Sequence, residues 1–437
     1  MGGEHGHGRG SVIDPAALRR RAQPIERSSD RFVALVAIGI AIAFLVAAGI
    51  TMFMPEAARR GAWLPLHLAL AGAATTAIAG VMPFFAAAFT AAPPSDVRLR
   101  LAGVSAVALG AAAVSVGVVG GSVGLAGVGG VGFVAGIVLV GIATVRPLGR
   151  ALGPSRGLVA QGYVVALGEV VVGAGLATLL VAGWPPVVHE WVRLKPVHAW
   201  LNVVGFISLV IATTLLHLFP TVVGARIALR PSARLTVAGL ALGAPAVAVG
   251  YVVASDLIAR GGALCVMGGA TGLTIYAWRT WQTRARWTTD PGWHRFAIGG
   301  LISAIAWLDI AIVVAAGRVL AFGADPAGWS VDAVAGPLIA GWVGLAIVAS
   351  ATHLLPAIGP GDPAGHARQR RLLGRGATLR LAALNIGVAA LAFGLPLGLD
   401  PLITGGAVLG ALGLGMSAVL LGAAVWMGIP RPRISRR

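Results

Sequence analysis

Residues 196–224 read PVHAWLNVVGFISLVIATTLLHLFPTVVG, and this stretch decides the class of the fold. His198 and His217 stand near its two ends, and the residues between them are apolar or small apart from Asn202, Ser208, Thr213 and Thr214. At about 1.5 Å per helical residue the two imidazoles lie roughly 28 Å apart, close to the thickness of a bilayer's hydrocarbon core. One imidazole is therefore expected near each membrane face. The phrase around His217 recurs: ATTLLHLFPTVVG at 212–224 resembles ASATHLLPAIG at 349–359, and AIAGVMPFF at 77–85 is a weaker copy with Gly80 in place of the histidine. Pro83, Pro220 and Pro356 thus recur at a near-constant interval, which predicts three structural repeats.

Composition agrees. Of the 437 residues, 57% are hydrophobic and only 11% charged, with a mean hydropathy of +0.88. A soluble domain carries about 25% charge. The 64 glycines, many in runs such as GVVGGSVGLAGVGGVGFVAG, would read as linker in water. In lipid they let helices approach closely. A single cysteine, Cys265, excludes an intrachain disulfide and a thiolate metal cluster.

The expected fold is an all-α polytopic membrane bundle of twelve spans in three four-helix pseudo-repeats. The spans are drawn at 32–53, 63–90, 99–121, 123–146, 157–183, 197–224, 233–255, 257–280, 295–317, 333–358, 378–398 and 402–427. They form one transmembrane domain, 32–427, between a disordered basic tail at 1–31 and a short basic tail at 428–437. The net charge of +18 is distributed by side. Arg59, Arg60, Arg193, Lys195, Arg260 and Arg318 fall on one face, and the other 27 of the 33 cations fall on the opposite face. By the positive-inside rule both termini are cytoplasmic. The basicity is explained by topology and calls for no nucleic-acid partner; the bilayer is the expected environment. No cleavable signal is apparent, and His5 and His7 in the N-terminal tail make too sparse a ligand set for a metal.

With this topology His67, in WLPLHLALAG, and His198 open the second and sixth spans at the outer face. His217 and His353 close the sixth and tenth spans at the inner face, each three residues before a proline. Helix bundles that hold b-type haem use such facing imidazoles to clamp the iron axially. The alternative is that a histidine near a proline satisfies carbonyls freed by the kink, or sits at the headgroup level. For the inner pair that alternative is favoured; for the outer pair both readings stay open. Shared ligation by His67 and His198 needs their ring nitrogens within roughly 4 to 5 Å of each other. Counted from the prolines, His67 lies six residues deeper than His198, an offset of about 9 Å along a straight helix.

HAWLNVVGFISLVIATTLLHLFP resembles the tenth helix of haem-copper oxidase subunit I, which opens on a His-x-His ligand pair and closes on His-x-x-Pro. His198 falls on the first ligand position, Trp200 on the second, and His217 on the closing, non-ligand histidine. PLHLALAGAATTAIAGVMPFF resembles the second helix of that family, with His67 at its low-spin haem position. The THLLPAIGPG stretch, the basic loop after it and LRLAALNIG resemble membrane modules of high-GC bacteria that stand alone or precede copper nitrite-reductase-like domains. The resemblance implies a bacterial inner membrane, a b-type haem, an electron-transfer or sensing role, and a setting in nitrogen-oxide or copper metabolism with a periplasmic copper protein or other redox partner. Two departures matter. The His-x-His-like helix comes sixth, and no helix carries the adjacent histidine pair from which the family builds its copper site. No copper centre and no oxygen reduction are expected.

Two acids interrupt apolar spans: Glu169 in VVALGEVVVGAGL and Asp309 in ISAIAWLDIAIVV. Buried carboxyls are costly unless paired, protonated or hydrated. They read equally as a proton or solute path and as carboxyls hydrogen-bonded to a neighbouring helix, through Asn202, Asn385 or Gln161. Two rival functions follow: a secondary transporter using Glu169 and Asp309, and a membrane anchor for a periplasmic partner.

Overall fold

In the computed structural model, which describes residues 15–149, 156–286 and 290–428 with side chains from Phe32, every expected span is a helix. They are α1 (Phe32–Thr51), α2 (Glu56–Thr90), α3 (Val97–Val119), α4 (Val123–Gly149), α5 (Gly157–Val181), α6 (Trp191–Val223), α7 (Pro231–Val252), α8 (Asp256–Trp281), α9 (Pro291–Phe322), α10 (Asp332–Ile358), α11 (Ala377–Leu397) and α12 (Asp400–Gly428). No strand occurs among the described residues. The protein is a twelve-helix membrane bundle. One boundary differs from expectation: α1 is the apolar part of a helix that begins at Pro15, so the polar segment before it is helical from that residue on. Leu, Ala, Arg, Gln and Glu there are good helix formers, which polarity alone concealed. His5, His7 and the 429–437 tail lie outside the described residues.

The glycines explain the closest packing. In each repeat the third and fourth helices form a hairpin: α3 with α4, α7 with α8, and α11 with α12. Gly103, Gly110 and Gly117 recur every seven residues on α3 and face α4, where Gly129 and Gly136 face back. A Cβ on Gly110 would lie 2.5 Å from the Phe133 nitrogen, and one on Gly117 would lie 2.5 Å from the Ala126 nitrogen. Gly243 and Gly250 on α7, Gly262 and Gly269 on α8, Gly387 and Gly394 on α11, and Gly406 and Gly413 on α12 repeat the seam. Lipid offers no hydrophobic drive between helices, so such backbone-to-backbone contact supplies the cohesion. The α3–α4 turn is tight because Gly121 adopts a left-handed φ of 71°.

The second helix of each repeat occupies the centre. Its apolar window is 67% buried in α2, 83% in α6 and 67% in α10, against 22–56% in the other helices. Trp342 Nε1 on α10 donates to Ser208 Oγ on α6 at 2.9 Å, tying two central helices together. Each central helix carries one π-helical stretch: Leu68–Ala74, Trp200–Ser208 and Ala335–Gly344. Each stretch holds a glycine filled by a large side chain from the first helix of its own repeat. Phe44 packs on Gly72, Glu169 on Gly205 and Trp307 on Gly341. A Cβ on any of these glycines would collide with that side chain. The wider π turn is thus a shared feature of the repeat and no mark of one site.

The helix prolines show how the backbone is satisfied in lipid. Proline has no N–H, so the carbonyl four residues earlier loses its donor. Tyr276 Oη donates to Leu216 O, freed by Pro220, at 2.5 Å. Trp293 Nε1 donates to Thr352 O, freed by Pro356, at 2.7 Å, and Ser95 Oγ donates to Ala143 O, freed by Pro147, at 2.7 Å. The expectation that His217 and His353 serve these carbonyls is corrected: side chains from other helices do so, because the imidazoles point to neighbouring aromatic rings instead.

Candidate functional site

His67 on α2 and His198 on α6 come together near the arginine-poor face. Their ring centroids are 6.4 Å apart and their planes 12° from parallel. Each ring is fixed through Nδ1. His67 Nδ1 donates to Trp63 O one helical turn earlier, at 2.8 Å. His198 Nδ1 donates to Gly173 O on α5, at 2.9 Å. A carbonyl can only accept, so both rings are the Nδ1–H tautomer and both Nε2 atoms present a lone pair. The Asn202 amide donates to His198 O at 2.6 Å. Its 3.2 Å approach to His198 Nδ1 is not a hydrogen bond in this tautomer, since both groups are donors. Gly173 is small of necessity, because a Cβ there would collide with that amide.

The register offset that argued against this pairing is absorbed within the repeat. His67 precedes Gly72 by five residues and His198 precedes Gly205 by seven, whereas the glycine-to-proline distances are 11 and 15. Most of the offset therefore arises below the π stretch. The remaining two residues amount to about 3 Å, which side chains span. The inner halves of α2 and α6 touch, while their histidine-bearing halves do not pack closely. In the third repeat Val334 takes the place of His198 by the same count from Gly341, so that repeat contributes no imidazole.

Aromatic rings flank the pair. The Trp63 indole stacks on His67 at 4.1 Å, and Trp191 lies 5.9 Å from His198. Sequence reasoning missed both, along with Gly173, and read Asn202 as a partner for a buried acid, whereas its amide serves His198 O. Trp63 had a local signal, lying four residues before His67 on a helix, but Gly173 comes from another span. Trp200 is buried with its Nε1 unpartnered.

The two imidazoles are a donor set that would fit a haem iron, with His67 and His198 as the residues that would hold it. About 2 Å from iron to each nitrogen, plus about 1.1 Å from nitrogen to ring centre, places two axial imidazoles about 6.2 Å apart, centre to centre. The observed 6.4 Å is close to that separation. Carbonyl-bound Nδ1–H groups are the outer-shell arrangement that metal-ligating histidines use. Among the described residues no group of three or more His, Cys, Asp or Glu side chains is poised to hold a metal ion.

The other candidates do not converge. His217 stacks on Phe89 at 4.3 Å, and His353 stacks on Trp293 at 5.0 Å, so the inner pair is not brought together. Glu169 is buried at the α5–α6 contact with both carboxyl oxygens unpartnered. It holds a position that Phe44 and Trp307 fill in the other repeats. Asp309 lies elsewhere, in a cleft of about 130 Å³ between α8 and α9, where Thr274 Oγ1 donates to Oδ2 at 2.5 Å. Asn385 bonds Trp307 Nε1 instead of either acid.

No family model matches the chain, and no curated protein matches it. Among solved structures it is similar to a haem-copper terminal oxidase determined as a dimer by cryo-EM. The TM-score is 0.60 at 14% identity, over 93% of this chain and 85% of that one. At this identity the likeness shows the fold: a twelve-helix membrane bundle of the kind found in a haem-copper terminal oxidase.

Proposed function

We propose that the protein binds a b-type haem between His67 and His198 and uses it to transfer or sense electrons at the arginine-poor face of the membrane. The single observation that carries this reading is the imidazole pair itself, 6.4 Å between centroids, with both Nδ1 atoms bound to carbonyls. When bound, the haem supplies one-electron exchange at iron. Trp63 O and Gly173 O would hold the rings in the ligating tautomer, with the Trp63 and Trp191 rings beside them. The sequence supplies no adjacent histidine pair for copper, so oxygen reduction forms no part of the proposal.

An inner-membrane location with cytoplasmic termini rests on the arginine asymmetry and places the histidine pair toward the periplasm. A periplasmic copper protein or other redox partner, and a nitrogen-oxide or copper setting, rest on the resemblance to membrane modules of high-GC bacteria. The transporter reading is weaker, because Glu169 packs on Gly205 at the α5–α6 contact while Asp309 lies in the cleft between α8 and α9. The anchor reading predicts no cofactor. Protein purified from cells supplied with haem precursor should show sharp reduced α and Soret bands. A colourless protein after haem reconstitution would reject the proposal.

A further inference from the structure

The arginine-rich face carries a second feature, unrelated to the histidine pair. A groove of about 340 Å³ lies where the end of α8 meets the start of α9, lined by Trp281, Pro291, His294, Arg295, Ile298, Gly299 and Ile302. That is roughly ten times the ~30 Å³ a water molecule occupies in the liquid, and the walls are almost wholly apolar. Toward the membrane the groove ends at Ile302, which is 43% exposed on the lipid-facing surface.

Its mouth is cationic. Arg279, Arg284, Arg286 and Arg295 are exposed, and none has a carboxylate partner among the described residues. The one acid between residues 279 and 302 is Asp290, which is engaged by Arg370 Nε at 2.8 Å. Two of the four arginines are held in place. Arg284 lies over the Trp281 ring at 4.0 Å and donates to Trp281 O at 3.1 Å. Arg295 Nη1 donates to Thr378 Oγ1 on α11 at 3.1 Å. An apolar channel open to lipid, with uncompensated guanidinium groups at its headgroup end, is complementary to one molecule class: a lipid with an anionic head and an acyl tail.

We propose that this groove binds a single anionic phospholipid, its phosphate on Arg284 and Arg295 and an acyl chain along Ile298, Gly299 and Ile302. The site differs from the general surface because Trp281 closes one wall and Thr378 fixes a cation at the mouth. It requires no haem.

The test is native mass spectrometry of the full chain in detergent, titrated with phosphatidylglycerol or with phosphatidylcholine of the same chain length. One phosphatidylglycerol should be retained in preference to phosphatidylcholine, and an equal concentration of inorganic phosphate should not displace it. R284Q/R295Q should weaken retention by about fivefold for each arginine, or about thirtyfold together. The control R98Q/R146Q removes two exposed arginines from the same face in the first repeat and should retain the lipid. Equal loss in both double variants would show a diffuse charge effect and overturn the site. So would equal retention of the two lipids by the unaltered chain, or displacement by phosphate. Circular dichroism of R284Q/R295Q separates lost binding from lost fold; if that variant unfolds, the lipid-selectivity and phosphate arms on the unaltered chain decide alone.

Discussion

Tyr276→Phe isolates a single buried hydrogen bond and tests how this bundle tolerates proline in its central helix. Pro220 lacks an N–H, so Leu216 O has no helical donor, and the Tyr276 hydroxyl takes that role at 2.5 Å. A bare carbonyl in a buried apolar setting costs about 1–3 kcal/mol. Hydrogen bonds between membrane helices usually measure lower, about 0.6 and at most about 1.7 kcal/mol, because the released groups find other partners. With Pro220 present the helix offers Leu216 O no donor four residues on, so the expected loss is about 1–2 kcal/mol. In a Pro220→Ala background the backbone N–H of residue 220 can bond Leu216 O directly. The tyrosine substitution should then cost no more than about 0.5 kcal/mol, giving a coupling of about 1 kcal/mol. Reversible unfolding in mixed micelles, followed by circular dichroism on the four proteins of the cycle, measures it. Equal cost of Tyr276→Phe in both backgrounds would refute the reasoning, since the hydroxyl would then be serving something other than the proline gap.

Glu169→Met keeps the volume and removes a buried carboxyl whose oxygens have no partner, so it should raise stability by about 1–2 kcal/mol; destabilisation in the same unfolding assay would show that the carboxyl has a partner after all. Gly110→Val drives a side chain into the Phe133 backbone and should destabilise by at least about 2 kcal/mol, while Gly132→Ala, with open space at its Cβ, should change stability by less than about 0.5 kcal/mol. Reporter fusions at either terminus should be active only in the cytoplasm, and a periplasmic signal from either one would overturn the orientation drawn from the arginines.

The spans were legible because each is a long apolar run closed by arginine, glycine or proline, and even the short α3–α4 division was marked by Gly-Gly-Ser. The repeat was legible in Pro83, Pro220 and Pro356. Less legible was what those prolines require. Tyr276 and Trp293 lie about sixty residues from the carbonyls they serve, and no local pattern couples them. His217 and His353 looked suited to that role by proximity in sequence, yet their rings turn toward Phe89 and Trp293. The π stretches were also hidden, since the large side chain that meets each one's glycine comes from the preceding helix. That omission matters for the site. Counting residues to the prolines put His67 and His198 about 9 Å out of register, whereas counting to Gly72 and Gly205 brings them nearly level. Glu169 stood out in sequence as an acid in an apolar span, but its equivalence to Phe44 and Trp307 is visible only in the packing.

Electron paramagnetic resonance of the oxidised, haem-reconstituted protein tests the central claim most directly, because its signal reports both the axial ligands and the angle between their planes. Imidazole planes 12° apart predict a rhombic low-spin ferric signal. That signal should vanish in His67→Ala and in His198→Ala and persist in His217→Ala and His353→Ala. A high-spin signal in the unaltered protein, or a low-spin signal that survives loss of either outer histidine, would contradict the shared site.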